Sequence, residues 1–400
     1  MINVEVQGYV VAGFEAVRDA FVNNFVEQGE VGAGFTLFVD GVMVADMYGG
    51  FIDEVTREPY TDDTLQVVFS TTKGATAACA SLLAQRGLLD FDAPVATYWP
   101  EFAQAGKEQI PVRWLLCHKA GLPTVDRTMT FDETLAWQPV IDALAAQAPY
   151  WEPGTRFGYH AITYGYLVGE VVRRITGVTM AEFWQEEFAR PLGLEFFMGL
   201  PVELESRVAP MILAPPPEMS DEMRAAAAKT LLARAISLNG AWPDLATAAN
   251  TREYHAAELG AAGGITNARS LARFYAGLIG PIDGGPDRAL FTSETIDRAR
   301  ESQAEGEDLV LSMSGTPFQT RVGLGFATTG PVQVYGGTGG FGHGGAGGSA
   351  GFADPDLGIA GGYVMNKMQN NITGDPRFRA LLDASMTAAG RLGSIPRRDG

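Results

Sequence analysis

The chain has 400 residues, 46% of them hydrophobic, enough apolar material for one large packed domain or two. A net charge of −18 argues against nucleic acid or an anionic membrane as a partner, and no apolar run approaches membrane-spanning length. Cys79 and Cys117 are too few for a disulfide framework, and the four histidines (118, 160, 255 and 343) have no metal-ligand spacing. The expectation is a cytoplasmic protein with buried free thiols, no metal and no cofactor. Glu5 precedes the first basic residue, Arg18, so no signal-peptide charge pattern is expected.

Val10, Phe14, Val17, Phe21 and Phe25 recur at helical spacing and predict an amphipathic helix over residues 9–28. Residues 34–39 and 42–48 are apolar runs flanking Asp40-Gly41, which predicts a β-hairpin. A strand-like run over 65–69 then leads into Ser70-Thr-Thr-Lys73. The Ala- and Leu-rich stretch 71–85 predicts a buried helix closed by Arg86-Gly87.

Ser70 at a helix start is first of all a capping residue. A cap does not require a lysine three positions on, and of the five lysines only Lys73 has a serine there. Residues i and i+3 share a helix face. The positive end of the helix and an apolar wall both disfavour an ammonium ion, so Lys73 is expected to titrate low. A hydroxyl beside a neutral amine is an activated nucleophile.

From Ser70 to about residue 300 the pattern is mostly helical. Long loops are expected over 111–126 and 201–220, the second containing Pro215-Pro216-Pro217. Loops of that length commonly wall or cover a site. Strand character returns after Arg321, over 332–335, 347–353 and 358–365, with Asp354-Pro355-Asp356 as a turn. Asp375-Pro376 starts a last helix reaching about Ala389. The glycine-dense run 336–351, which contains His343, suggests close backbone approach to something bound. No internal repeat is present. Strands from both ends most economically form one antiparallel sheet covered by the first and last helices, an α/β (α+β) fold. The whole chain, 1–400, is expected to be a single domain. Its α/β part takes 1–69 and about 320–400, and its mostly helical part about 70–319.

Two further stretches complete a pattern, Trp151-Glu-Pro-Gly-Thr-Arg-Phe-Gly-Tyr-His-Ala161 and Gly340-Phe-Gly-His-Gly-Gly-Ala346. In order and spacing they and Ser70-x-x-Lys73 resemble the serine β-lactamase and DD-peptidase fold, specifically the family VIII carboxylesterases related to class C β-lactamases. Trp114-Leu-Leu-Cys-His-Lys-Ala-Gly-Leu-Pro123 and Ala262-Gly-Gly-Ile-Thr-Asn-Ala-Arg-Ser-Leu-Ala-Arg273 are similar to supporting segments of that family. The resemblance runs from about residue 30 to 370. It implies Ser70 as the acylated nucleophile, Lys73 as its general base and Tyr159 as the proton shuttle. The backbone N–H groups of Ser70 and Ala346 would form the oxyanion hole. His343-Gly344-Gly345 would stand on an edge strand where β-lactamases carry Lys-Thr-Gly, and Tyr159 beside a lysine cation is expected to have a lowered pKa.

Two departures set the substrate expectation. Ala161 stands where β-lactamases use Asn to hold a side-chain amide. His343 replaces a fixed cation and is at most partly charged near neutral pH. The resemblance with these departures implies a hydrolase of short-chain carboxylic esters acting through an acyl-Ser70 intermediate. β-Lactamase, D-amino-acid peptidase or amidase, and acyltransferase are alternatives on the same site, and a silent binding module is one from another class. The expected partner is a small ester.

Gly347-Gly-Ser349-Ala-Gly351 also fits the nucleophile elbow of α/β-hydrolases. That elbow needs a helix after the serine and a histidine later in the chain. Here a turn into another strand is expected, and no histidine follows 343. Ser349 is read as structural. His118 and His160 are expected to orient loops, and His255 has no assigned role.

Overall fold

The computed structural model describes residues 5–214, 220–312, 317–370 and 374–391. The Pro215-Pro216-Pro217 run lies outside the described residues. Twelve strands occur among them. They are β1 (Val6–Val10), β2 (Gly32–Val39), β3 (Val42–Gly50), β4 (Gln66–Val67), β5 (Phe196–Met198) and β6 (Gly264–Thr266), followed by β7 (Ala304–Glu307), β8 (Gln319–Val322), β9 (Ala327–Thr328), β10 (Phe341–Gly344), β11 (Ala350–Asp354) and β12 (Ile359–Met365). Five helices matter below: α1 (Glu15–Glu27), α2 (Thr72–Gln85), α3 (Thr163–Thr176), α4 (Ala268–Ile279) and α5 (Pro376–Arg391).

Nine strands form one antiparallel sheet in the order β1-β3-β2-β12-β11-β10-β9-β8-β7. The expected hairpin pairs Val39 with Val42 across Asp40-Gly41. Both turn residues have positive φ, 48° and 79°, the geometry that matches the twist of the two strands. β2 and β12 pair directly from Val39↔Ile359 to Ala33↔Met365 and are buried along their whole length. The ends of the chain therefore meet at the middle of the sheet. α1 and α5 pack together over one face, and α4 lies against β12, β2 and β11.

Three expectations needed correction. The helix over 9–28 begins only at Glu15, because residues 6–10 run as a strand that covers the open edge of β3. Residues 332–335 are not a strand. The position beside β10 is taken by the two-residue β9, and Tyr335 instead turns inward, where its hydroxyl accepts a hydrogen bond from the Gly344 N–H. The stretch 111–126 is not wholly loop, since a short helix, Val112–Leu116, lies within it. The sequence pattern also did not foretell the small sheet β4-β6-β5, which joins the strand before Ser70 to the segment around residue 264.

A buried ion cluster ties the sheet to α5. Arg377 is fully buried and pairs with Glu30 at 2.9 Å and Asp375 at 2.8 Å. It also donates to the carbonyls of Gly347 (2.6 Å) and Lys367 (2.9 Å), and Tyr363 hydrogen-bonds to Glu30. Cys79 and Cys117 are buried free thiols. No helix among the described residues is long and apolar enough to cross a membrane.

Candidate active site

Ser70 sits in the turn between β4 and α2. Phe69, before it, is held at φ +44°, a conformation that non-glycine residues adopt only when their surroundings impose it. Thr72 locks this turn. Its Oγ1 donates to the Phe69 carbonyl (2.5 Å) and accepts the Gly264 N–H (2.8 Å). Ser70 is not the helix cap; Thr71 takes that place without a side-chain capping bond. The hydroxyl of Ser70 is thereby left for other partners.

α2 is buried from Thr72 to Leu83, as its Ala-rich sequence requires, and Lys73 is buried with it. Lys73 Nζ lies 3.1 Å from Ser70 Oγ, 2.7 Å from the Ala161 carbonyl oxygen and 3.0 Å from that of Ala261. Among the described residues no carboxylate pairs with it, and burial holds its amine well below the usual lysine range. A neutral amine has two N–H bonds and one lone pair. With both N–H groups donated to carbonyls, the lone pair faces Ser70.

Tyr159 completes the group: its hydroxyl donates to Ser70 Oγ at 2.8 Å. Lys73 Nζ lies over its ring, 4.9 Å from the centroid. The expected lowering of the Tyr159 pKa does not occur. Burial pushes it upward, and the neutral lysine lends no balancing charge, so Tyr159 stays a protonated phenol.

The loop carrying Tyr159 is braced as expected by two histidines. His160 accepts the Leu122 N–H (3.0 Å) through Nε2 and donates to the Gly158 carbonyl (2.7 Å) through Nδ1. His118 Nδ1 accepts the His160 N–H at 3.3 Å. Asp308 adds a brace that no sequence motif signalled, its Oδ1 accepting the Tyr159 N–H at 3.0 Å. His255 lies elsewhere, between the Glu205 carboxylate (2.8 Å) and the Ala249 carbonyl (2.6 Å).

β10 supplies the opposite wall. The His343 ring stacks on that of Tyr159, with centroids 6.4 Å apart, and its Nδ1 donates to the Gly344 carbonyl at 2.8 Å. Burial drives His343 down to about 3, so it is uncharged near neutral pH and the fixed cation is missing. Gly345 packs so closely that a Cβ there would strike the Val68 carbonyl and Ser349 Oγ. This part of the glycine-dense run serves approach of chain to chain. Ala346 and Gly347 follow on the cavity wall.

A cavity of about 340 Å³ opens over Ser70, with Tyr159, Ala161, His343, Gly344 and Ala346 on its lining. Apolar side chains including Ile162, Ile236, Leu245, Leu311, Val322 and Met368 make up much of the rest. The decoy serine is elsewhere: Ser349 is buried and its Oγ donates to the Val68 carbonyl at 2.9 Å.

Comparison with known proteins places the chain in a family. Residues 18–385 match the profile of the beta-lactamase family. The esterase/beta-lactamase LipL of Mycobacterium tuberculosis is 33% identical over 368 residues, covering 89% of this chain and 81% of its own. A family VIII carboxylesterase of known structure is 36% identical, with a TM-score of 0.86 over 96% of this chain and 100% of that one. A penicillin-binding protein homolog from Caulobacter crescentus is 37% identical, with a TM-score of 0.83 over 96% of this chain and 100% of the other. With a profile match over most of its length and likenesses spanning both partners nearly end to end, the chain belongs to the beta-lactamase family.

Proposed function

We propose that the protein is a serine hydrolase cleaving short-chain carboxylic esters through an acyl-Ser70 intermediate. One observation carries this reading: Lys73 Nζ and the Tyr159 hydroxyl converge on Ser70 Oγ, at 3.1 and 2.8 Å, at the floor of an apolar cavity. Neutral Lys73 takes the Ser70 proton as Oγ attacks the ester carbonyl carbon. The carbonyl oxygen becomes an oxyanion held by the N–H groups of Ser70 and Ala346. Collapse breaks the bond to the alkoxide, which leaves as the alcohol after taking a proton through Tyr159. Water then attacks the acyl-enzyme by the same route, releasing the acid and returning the proton to Ser70. Nucleophile, shuttle and opposite wall come from residues 70, 159 and 343, which supports reading the chain as one catalytic domain.

Ester is ranked above β-lactam on charge. A β-lactam brings a carboxylate, and His343 is held neutral where a cation would be needed. Similarity to LipL, an esterase/beta-lactamase, favours β-lactam hydrolysis as a second reading. A chain-length series of p-nitrophenyl esters run beside nitrocefin tests both. Short esters are expected to be turned over far faster. Equal kcat/KM on nitrocefin and p-nitrophenyl butyrate would overturn the ranking.

A further inference from the structure

Among the described residues lining the cavity, no Lys or Arg occurs and one carboxylate does, that of Asp308. Asp308 is 1% exposed. Its Oδ1 accepts three backbone N–H groups, from Tyr159 (3.0 Å), Val310 (2.8 Å) and Leu311 (2.9 Å). Its Oδ2 takes no hydrogen bond from any described residue. A brace for the Tyr159 loop needs an acceptor oxygen and no charge, so an asparagine would serve as well. The charge is therefore unexplained by the brace. Burial raises the Asp308 carboxyl, and the three backbone N–H groups oppose that shift. The groups near the cavity that could balance its charge, Lys73, His118 and His343, are all driven toward their neutral forms by burial.

We propose that Asp308 selects substrates by charge, its free Oδ2 drawing in esters that carry an ammonium or quaternary ammonium group and turning away esters that carry a carboxylate. The inference rests on the ester-hydrolase reading of this cavity. An apolar cleft screens the field of a carboxylate less than bulk water does, so one charge on the ligand decides its fit.

The experiment uses the full chain and its Asp308→Asn variant, which keeps the Oδ1 acceptor and removes the charge. Three p-nitrophenyl esters of similar size are compared: 4-(trimethylammonio)butanoate, its uncharged isostere 5,5-dimethylhexanoate, and hemiglutarate. In the unmodified enzyme kcat/KM is expected to fall in the order cation, neutral, anion, with a cation-to-anion ratio of about a hundredfold. Asp308→Asn is expected to reduce that ratio at least about tenfold. An unchanged ratio in the folded variant overturns the proposal. So does an unmodified enzyme that takes the anionic ester as well as the cationic one, a test that needs no variant. Hydrolysis of p-nitrophenyl butyrate in that case leaves the ester reading standing, whereas an enzyme that hydrolyses neither it nor any of the three overturns both.

Discussion

Lys73→Arg separates a neutral base from a bare positive charge. Lys73 Nζ has three neighbours, the carbonyls of Ala161 and Ala261 at 2.7 and 3.0 Å and Ser70 Oγ at 3.1 Å. Two N–H bonds satisfy the carbonyls and the lone pair remains for the Ser70 proton. A guanidinium keeps its proton in a protein and has only donors, so it restores the charge without the base. Loss of a positioned general base costs about 10²–10⁴ in rate. At about 1.36 kcal/mol per power of ten that is roughly 2.7–5.4 kcal/mol of barrier. The assay is kcat/KM on p-nitrophenyl butyrate together with the rate of fluorophosphonate labelling, which depends on the same activated hydroxyl. Both are expected to fall at least about a hundredfold, with far-UV circular dichroism confirming the fold. Activity within about tenfold of the unmodified enzyme, roughly 1.4 kcal/mol, would refute the neutral-base argument.

The pH profile follows from the same groups. Lys73 must be unprotonated to accept a proton, so kcat/KM is expected to rise with pH through its lowered pKa. Tyr159 is pushed upward, so no fall should follow between about pH 8 and 10 while the protein stays folded; an alkaline limb there contradicts the assignment. Ser70→Ala should abolish ester hydrolysis and probe labelling. Ser349→Ala should keep the adduct on Ser70 while costing about 0.5–1.5 kcal/mol of stability, because the Val68 carbonyl loses one of its two donors and keeps the Thr71 N–H. Mass spectrometry of the labelled peptides decides, and an adduct on the Ser349 peptide sinks the assignment. Arg377→Met removes the buried guanidinium that pairs with Glu30 and Asp375, and urea unfolding should register a loss of about 3–5 kcal/mol. A loss below about 1 kcal/mol would mean that the cluster is not what ties α5 to the sheet.

What could be read from the sequence was what depends on side chains close together along it. Asp40-Gly41 marked its hairpin, the Ala-rich run after Ser70 marked a buried helix, and the three motifs marked the residues that meet over the cavity. The environment of those residues depends on chain segments far away and on backbone atoms, which leave no residue-type signature. Lys73 is held by the carbonyls of Ala161 and Ala261, and any residue type has a carbonyl. Tyr159 was expected to titrate low because a cation was assumed beside it; the depth of burial that neutralises the lysine and raises the phenol is a property of the packed whole. Asp308 escaped notice because its partners are backbone N–H groups. Residues 332–335 have the alternation of a strand, but a strand also needs a free neighbour to pair with, and β9 already occupies that edge of β10.

The pairing of β2 with β12 has a consequence for how the protein is made. Ala33 and Met365 are partners, so the sheet cannot close until nearly the whole chain has left the ribosome. At translation rates of about 5–20 residues per second, the wait between the two strands is roughly 16 to 65 seconds. Throughout it, β2 has a run of apolar residues and an unsatisfied backbone edge, the combination that draws other nascent chains together. Pairing over such a distance along the chain is also slow to nucleate. Yield on refolding should therefore depend steeply on protein concentration, and a segment supplying residues 359–365 in trans should compete for the same edge.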